Sequence, residues 1–221
     1  MTNPDSAQPG AQVTRLLFVR HGEVENPDDL YYGRLPRFGL SEAGRRQVQM
    51  TGAHLASCTV AAIYSSTLLR ARQSARILAS PHPAAHVGIS RLLLEVHSPF
   101  DGQPRQVLAK RGWDLYTGTV SPYEQPADLV ARIQRFIRLM RRRFPGQTVV
   151  AVTHGDLIVF LTLWALGAPA ELEQKSQLHQ LGYAEAYPAP ASVTTLNYRT
   201  SQEDERPSLS YWSPPTPAGT V

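Results

Sequence analysis

Three short segments carry the residue types suited to phosphoryl chemistry: Arg20-His21-Gly22-Glu23, Ser65-Ser-Thr-Leu-Leu-Arg70-Ala-Arg72-Gln and Thr153-His154-Gly155-Asp156. A phosphoryl group carries up to two negative charges, and the forked guanidinium of arginine neutralises and orients it with paired hydrogen bonds. A neutral imidazole nitrogen held beside it can attack phosphorus and form a phosphohistidine. Gly22 and Gly155 would let main-chain amides approach where a Cβ would obstruct. A helix starting after His154 would add its positive dipole end.

These segments need elements that bring them together. Arg15-Leu-Leu-Phe-Val-Arg20, Val60-Ala-Ala-Ile-Tyr64 and Gln147–Thr153, with Val149-Val-Ala-Val inside it, read as short buried strands. Each chemical segment therefore falls at a strand's carboxyl end. Helices are expected to start at Ser41, a plausible N-cap, and to run over Thr67–Ala79, 127–144 and Asp156–Leu166. Leu129, Ile133, Phe136, Ile137 and Met140 form one apolar stripe on the third of these. Ser192–Tyr198 and Ser208–Trp212 look like late strands, and a short helix starts near Pro104. Residues 24–40, 81–90 and 97–105 hold the prolines and glycines of loops. The alternation predicts an α/β fold, a three-layer sandwich with a mostly parallel central sheet and helices on both faces. Ligands of such sheets bind beyond the carboxyl ends of the strands, where the three segments lie.

The 221 residues suit one domain over 14–213 with disordered tails at 1–13 and 214–221. The 22 basic residues against 18 acidic ones give a net +4, nearly all of it arginine. That balance is too mild to indicate nucleic acid, and the sequence shows no aromatic interleaving of the kind that stacks bases. Arg132, Arg135, Arg138, Arg141, Arg142 and Arg143 are expected on a solvated helix face opposite the apolar stripe. The single cysteine, Cys58, excludes an internal disulfide and suits a reducing, cytoplasmic setting. No secretory signal is expected, and the longest apolar candidate, Leu157–Leu166, is about half of what a bilayer requires.

The blocks Arg20-His21-Gly22-Glu23, Tyr64-Ser-Ser-Thr-Leu-Leu-Arg70-Ala-Arg-Gln-Ser-Ala and Val149-Val-Ala-Val-Thr-His154-Gly155 stand in this order, with Leu94-Glu95 and Phe100-Asp101-Gly102 between the last two. In this respect the chain resembles the histidine phosphatase superfamily, the phosphoglycerate mutase-like proteins, from about residue 14 to about 200. The resemblance implies that His21 is the phosphorylated nucleophile. Arg20, Arg70 and His154 would complete the phosphate pocket, with Asn26 near the family's loop asparagine, about one residue early. Glu95 would give a proton to the leaving oxygen. The segment after it, Val96-His-Ser-Pro-Phe-Asp-Gly, is about one residue shorter than the commoner pattern. No cofactor and no metal are implied. The expected partner is a small phosphomonoester, with inorganic phosphate as product, no nucleic acid and no membrane; the sequence leaves the oligomeric state open.

Proton accounting constrains this chemistry. His21 must be neutral at the attacking nitrogen, which neighbouring arginines favour, and its other nitrogen needs an acceptor such as a main-chain carbonyl. Glu95 must be protonated as the ester breaks, which a phosphate dianion nearby would promote. The rivals are a cofactor-dependent phosphoglycerate mutase and a catalytically silent phospholigand-binding module. The stretch from Glu95 to His154 is compact for a mutase, and every catalytic position has a candidate, which favours a phosphatase. Arg34 and His97 are candidates for substrate contact. His54 is assigned to surface or packing, His82 and His86 to solvent, Cys58 to packing, and Asp156 to capping its helix.

Overall fold

The computed structural model describes residues 13–215; apart from Val13, Pro214 and Pro215, the expected tails at 1–13 and 214–221 lie outside them. The apolar runs become strands β1 (Thr14–Arg20), β2 (Val60–Ser65) and β4 (Thr148–Thr153), joined by β3 (His86–Ile89), β5 (Val193–Tyr198) and β6 (Ser208–Trp212). They form one sheet in the order β3-β2-β4-β1-β5-β6. β1, β2, β3 and β4 are parallel, β5 is antiparallel to β1, and β6 is antiparallel to β5. Only β5 runs against the rest, as the expected mostly parallel sheet requires.

Side-chain alternation along the strands divides the core. Leu17, Val19, Ile63, Val150 and Val152 face helices α1 (Glu42–Leu55) and α2 (Leu69–Ala79) through Val48, Leu55, Ala71 and Leu78. Leu16, Phe18, Ala62, Tyr64, Val149 and Ala151 face α4 (Pro126–Arg143) and α5 (Gly155–Leu166). A short helix α3 (Arg105–Lys110) follows Pro104. The stripe expected on α4 is its buried face, and its capping box pairs Gln125 with Asp128. Ser41 caps α1, its hydroxyl accepting the Gly44 N–H at 2.9 Å. α5 is buried nearly all round and ends at Gly167 in the left-handed conformation.

Two local expectations are corrected. The expected loop over 81–90 contains β3, which extends the sheet by pairing Ile63 with Val87. His82 lies within that stretch yet is buried, 8% exposed, rather than solvated. Beyond α5, the chain makes a 3₁₀ stretch, Leu172–Leu181, before reaching β5. Among the described residues no helix is long and apolar enough to cross a membrane.

Candidate active site

The central strands β1, β4 and β2 are adjacent, so their carboxyl ends converge. The His21 N–H donates to Thr153 O at 3.1 Å, and the Ser66 N–H to Val152 O at 3.0 Å. His21 and His154 leave the sheet side by side, with ring centroids 5.1 Å apart, and both are buried.

Arg70, on the first turn of α2, sits between them and is fully buried. Its Nε donates to His21 Nε2 at 3.1 Å, and its Nη2 lies 2.6 Å from Gly33 O and 3.3 Å from His154 Nδ1. These contacts set the tautomers. His21 Nδ1 is 2.8 Å from Gly22 O, which can only accept, so Nδ1 holds the proton and Nε2 a lone pair. The expected main-chain acceptor is thus the next residue's own carbonyl. His154 Nδ1 faces a guanidinium that can only donate, so its proton is on Nε2, 2.7 Å from Ser66 Oγ. Both imidazoles are pushed well below the usual range, His21 by burial, then by Arg70 and Arg20. Burial leads for His154 too, followed by Arg70 and His21. Both are neutral at physiological pH.

Arg20 closes the other side. Its Nη1 donates to Pro188 O at 2.6 Å, and its guanidinium lies 5.0 Å from the centre of the Tyr187 ring. A Cβ at Gly155 would overlap the Tyr187 hydroxyl, so this glycine makes room for a tyrosine rather than for an incoming anion. Arg20 Nε and Arg70 Nη1 are buried without a hydrogen-bond partner, and the ion pairs of the described residues include neither arginine.

Glu95 is buried and follows a 3₁₀ turn over Arg91–Leu93 that Thr153 tethers through its Oγ1, 2.8 Å from Leu93 O. Its Oε1 accepts the Val96 N–H at 2.9 Å. Burial, then the charge of Asp156, raises its carboxyl to about 7. The shift expected from a phosphate dianion is thus already present without one. Asp156 does not cap its helix as expected: His154 stands at the N-cap without a side-chain cap bond, and the Asp156 carboxylate accepts from the Tyr116 hydroxyl at 2.5 Å and the Tyr187 hydroxyl at 2.9 Å.

The remaining candidates divide. Asn26 spends its amide on its own loop, with Nδ2 donating to Leu30 O at 2.9 Å and Oδ1 accepting the Leu30 N–H at 3.1 Å. Arg34 stands near Glu95: its Nε donates to Glu95 O at 2.8 Å and its Nη2 to Glu124 at 2.7 Å. His97 turns its Nδ1 to Pro122 O at 3.1 Å. Arg132 is not solvated as expected; its side chain is 13% exposed and binds Glu124 and the carbonyls of Leu92 and Leu94. Arg141 is likewise engaged, at 9% exposure, with Glu205 and the carbonyls of Thr200 and Gln202. Of the histidines outside the site, His54 stacks on Trp212 at 3.9 Å, while His86 is exposed.

Ser66, Tyr187, Tyr116, Glu124 and Arg132 escaped the sequence reading. Ser66 lies within a recognised block, beside the strand end, which was a usable signal. Tyr187 belongs to a stretch with neither strand nor helix periodicity, and nothing local marks it. Among the described residues, no group of three or more His, Cys, Asp or Glu stands where it could hold a metal ion.

Residues 16–202 match the family described as the histidine phosphatase superfamily, branch 1. An uncharacterized protein of Mycobacterium tuberculosis is 33% identical over 163 residues, spanning 70% of this chain and 79% of its own. Phosphoserine phosphatase 1 of Hydrogenobacter thermophilus is 29% identical over 151 residues, 64% of this chain and 71% of its own. Among solved structures, the native mycobacterial glucosyl-3-phosphoglycerate phosphatase superposes with a TM-score of 0.74 at 26% identity, covering 91% of this chain and 99% of that one.

Proposed function

The chain belongs to the histidine phosphatase superfamily, and from that premise we propose that it hydrolyses a small phosphomonoester through a phosphohistidine at His21, without a metal. One observation carries the reading. Two arginines with buried, unpartnered N–H groups flank a histidine whose Nε2 is unprotonated. Buried unpaired donors are costly, and a phosphoryl oxygen is the acceptor they lack. The two guanidinium charges match a phosphate dianion.

The Arg70 Nε–H shifts its hydrogen bond from His21 Nε2 to a phosphoryl oxygen, the freed Nε2 attacks phosphorus as the bond to the ester oxygen breaks, and Glu95 gives that oxygen its proton. The ionised Glu95 then takes a proton from water as the water oxygen attacks the phosphohistidine, releasing phosphate and restoring both residues. Arg20 and Arg70 stabilise the charge on the transferring group, and His154, its Nδ1 facing Arg70 Nη2, holds that guanidinium in place. Relatives named for phosphoserine and for glucosyl-3-phosphoglycerate support a small, polar phosphorylated metabolite as the substrate class.

Rapid quenching without acid, followed by mass spectrometry, should find phosphate on His21 during turnover. His21→Ala should abolish both the adduct and phosphate release, and EDTA should leave wild-type activity intact. Turnover in His21→Ala, or loss to EDTA with recovery on added Mg²⁺, would overturn the reading. Transfer of the phosphoryl group to a sugar acid instead of water would indicate a mutase.

A further inference from the structure

Glu95 sits on a stretch without regular secondary structure, yet a proton donor must be held within a fraction of an ångström of its working position. We propose that Glu124, gripped by Arg34 and Arg132, is a positioning residue that fixes the Glu95 main chain and thereby aims its carboxyl; this rests on Glu95 being the acid.

The contacts surround the acid on both sides. Arg132 Nη1 donates to Leu92 O at 2.9 Å and Leu94 O at 2.7 Å, and its Nη2 reaches Glu95 O at 3.5 Å. Arg34 Nε donates to the same Glu95 carbonyl at 2.8 Å. Just after the acid, the His97 N–H donates to Glu124 Oε2 at 2.9 Å. Glu124 unites the two arginines: Oε1 accepts from Arg132 Nε at 2.9 Å, and Oε2 from Arg132 Nη2 at 3.1 Å and Arg34 Nη2 at 2.7 Å. The fork on Arg132 fixes orientation as well as distance. The three residues come from the loop after the nucleophile, the segment entering α4, and α4 itself.

The chemistry explains why a carboxylate is used. Two guanidiniums beside an acid would favour its ionised form and disable it as a donor. Here both are turned onto main-chain carbonyls, and the Glu124 charge offsets one of them. The acid is held in place without being acidified.

The test compares an alkyl phosphate, whose leaving oxygen needs a proton, with p-nitrophenyl phosphate, whose leaving group does not. Glu124→Ala should lower kcat/KM on the alkyl ester, which reports the phosphorylation step, about 10- to 100-fold, the scale of a misplaced catalytic group, with kcat/KM on the nitrophenyl ester little changed. Glu124→Asp should recover part of the loss. Glu124→Gln, which keeps the shape and removes the charge, gives the same comparison if the alanine variant does not fold. Equal losses on both substrates, or none on either, overturn the inference. Glu95→Gln run alongside separates the failures. If it discriminates between the esters and the Glu124 variants do not, positioning alone fails; if it does not discriminate, the acid assignment fails and the positioning role with it.

Discussion

At the carboxyl ends of β1, β4 and β2, Arg70 is buried among neutral histidines, and both it and Arg20 keep a covered N–H without a partner. At the opposite end, where α4 finishes beside the first residues of β1 and β4, the Arg141 side chain is 9% exposed and leaves no covered N–H without a partner. It lies over the Tyr198 ring at 4.0 Å and binds two carbonyls and Glu205. Arg138, Arg142 and Arg199 line a surface cavity there together with Glu203. Arginine abundance therefore does not locate the site; covered arginine N–H groups without a partner do, and among the described residues only Arg20 and Arg70 have them. A satisfied guanidinium contributes to stability, whereas a buried unsatisfied one persists where a ligand supplies the missing acceptor.

The comparison breaks first at Glu95. Glu95→Gln should lose roughly 10²–10⁴-fold in kcat/KM on alkyl phosphates and far less in kcat/KM on p-nitrophenyl phosphate. In the wild type the raised carboxyl is protonated below about 7 and ionised above it. Alkyl ester kcat/KM should therefore fall as pH rises through 7, and the nitrophenyl ester should show no such limb. Stability carries the same sign. The folded state keeps a proton that the unfolded chain releases above about 4.5, so the Glu95 contribution is complete below that pH and is lost as pH rises through 7. Denaturation of Glu95→Gln across this span should lack that component.

Arg70→Met removes a buried charge that has no counterion. Turnover should fall by roughly 10²–10³-fold, the usual worth of a preorganised donor, while Tm holds or rises. A large drop in Tm would make Arg70 a structural residue and erase the contrast.

The smallest effect belongs to the other end. Arg141→Met should leave kcat/KM unchanged and cost about 1–3 kcal/mol of stability, a fall of roughly 3–10 °C in Tm for a chain of this length. Unchanged Tm would show that its contacts are interchangeable with water.

What could be read locally came from local causes. The runs Arg15–Arg20 and Val149–Val152 are apolar because both faces of a central parallel strand are covered, and no helix partner is needed to see that. His21 and His154 follow those runs directly, so strand prediction and site prediction were one inference. β3 stayed hidden because Val87 and Ile89 are exposed on an edge strand that pairs only with β2, leaving no alternation to detect. Arg132 looked like its exposed neighbours because a helix period marks a face but not what covers it.

The sequence by itself determined which groups can do chemistry and which strand ends carry them, since residue type and hydrophobic periodicity are properties of a short window. The tertiary structure alone decided their state. Arg20 is held by Pro188, 168 positions away, and Arg70 meets His154 across 84. Burial at the convergence of three strands makes both imidazoles neutral, and burial with Asp156 lifts Glu95. Desolvation and hydrogen-bond closure depend on what surrounds a group in space, and no local pattern encodes that.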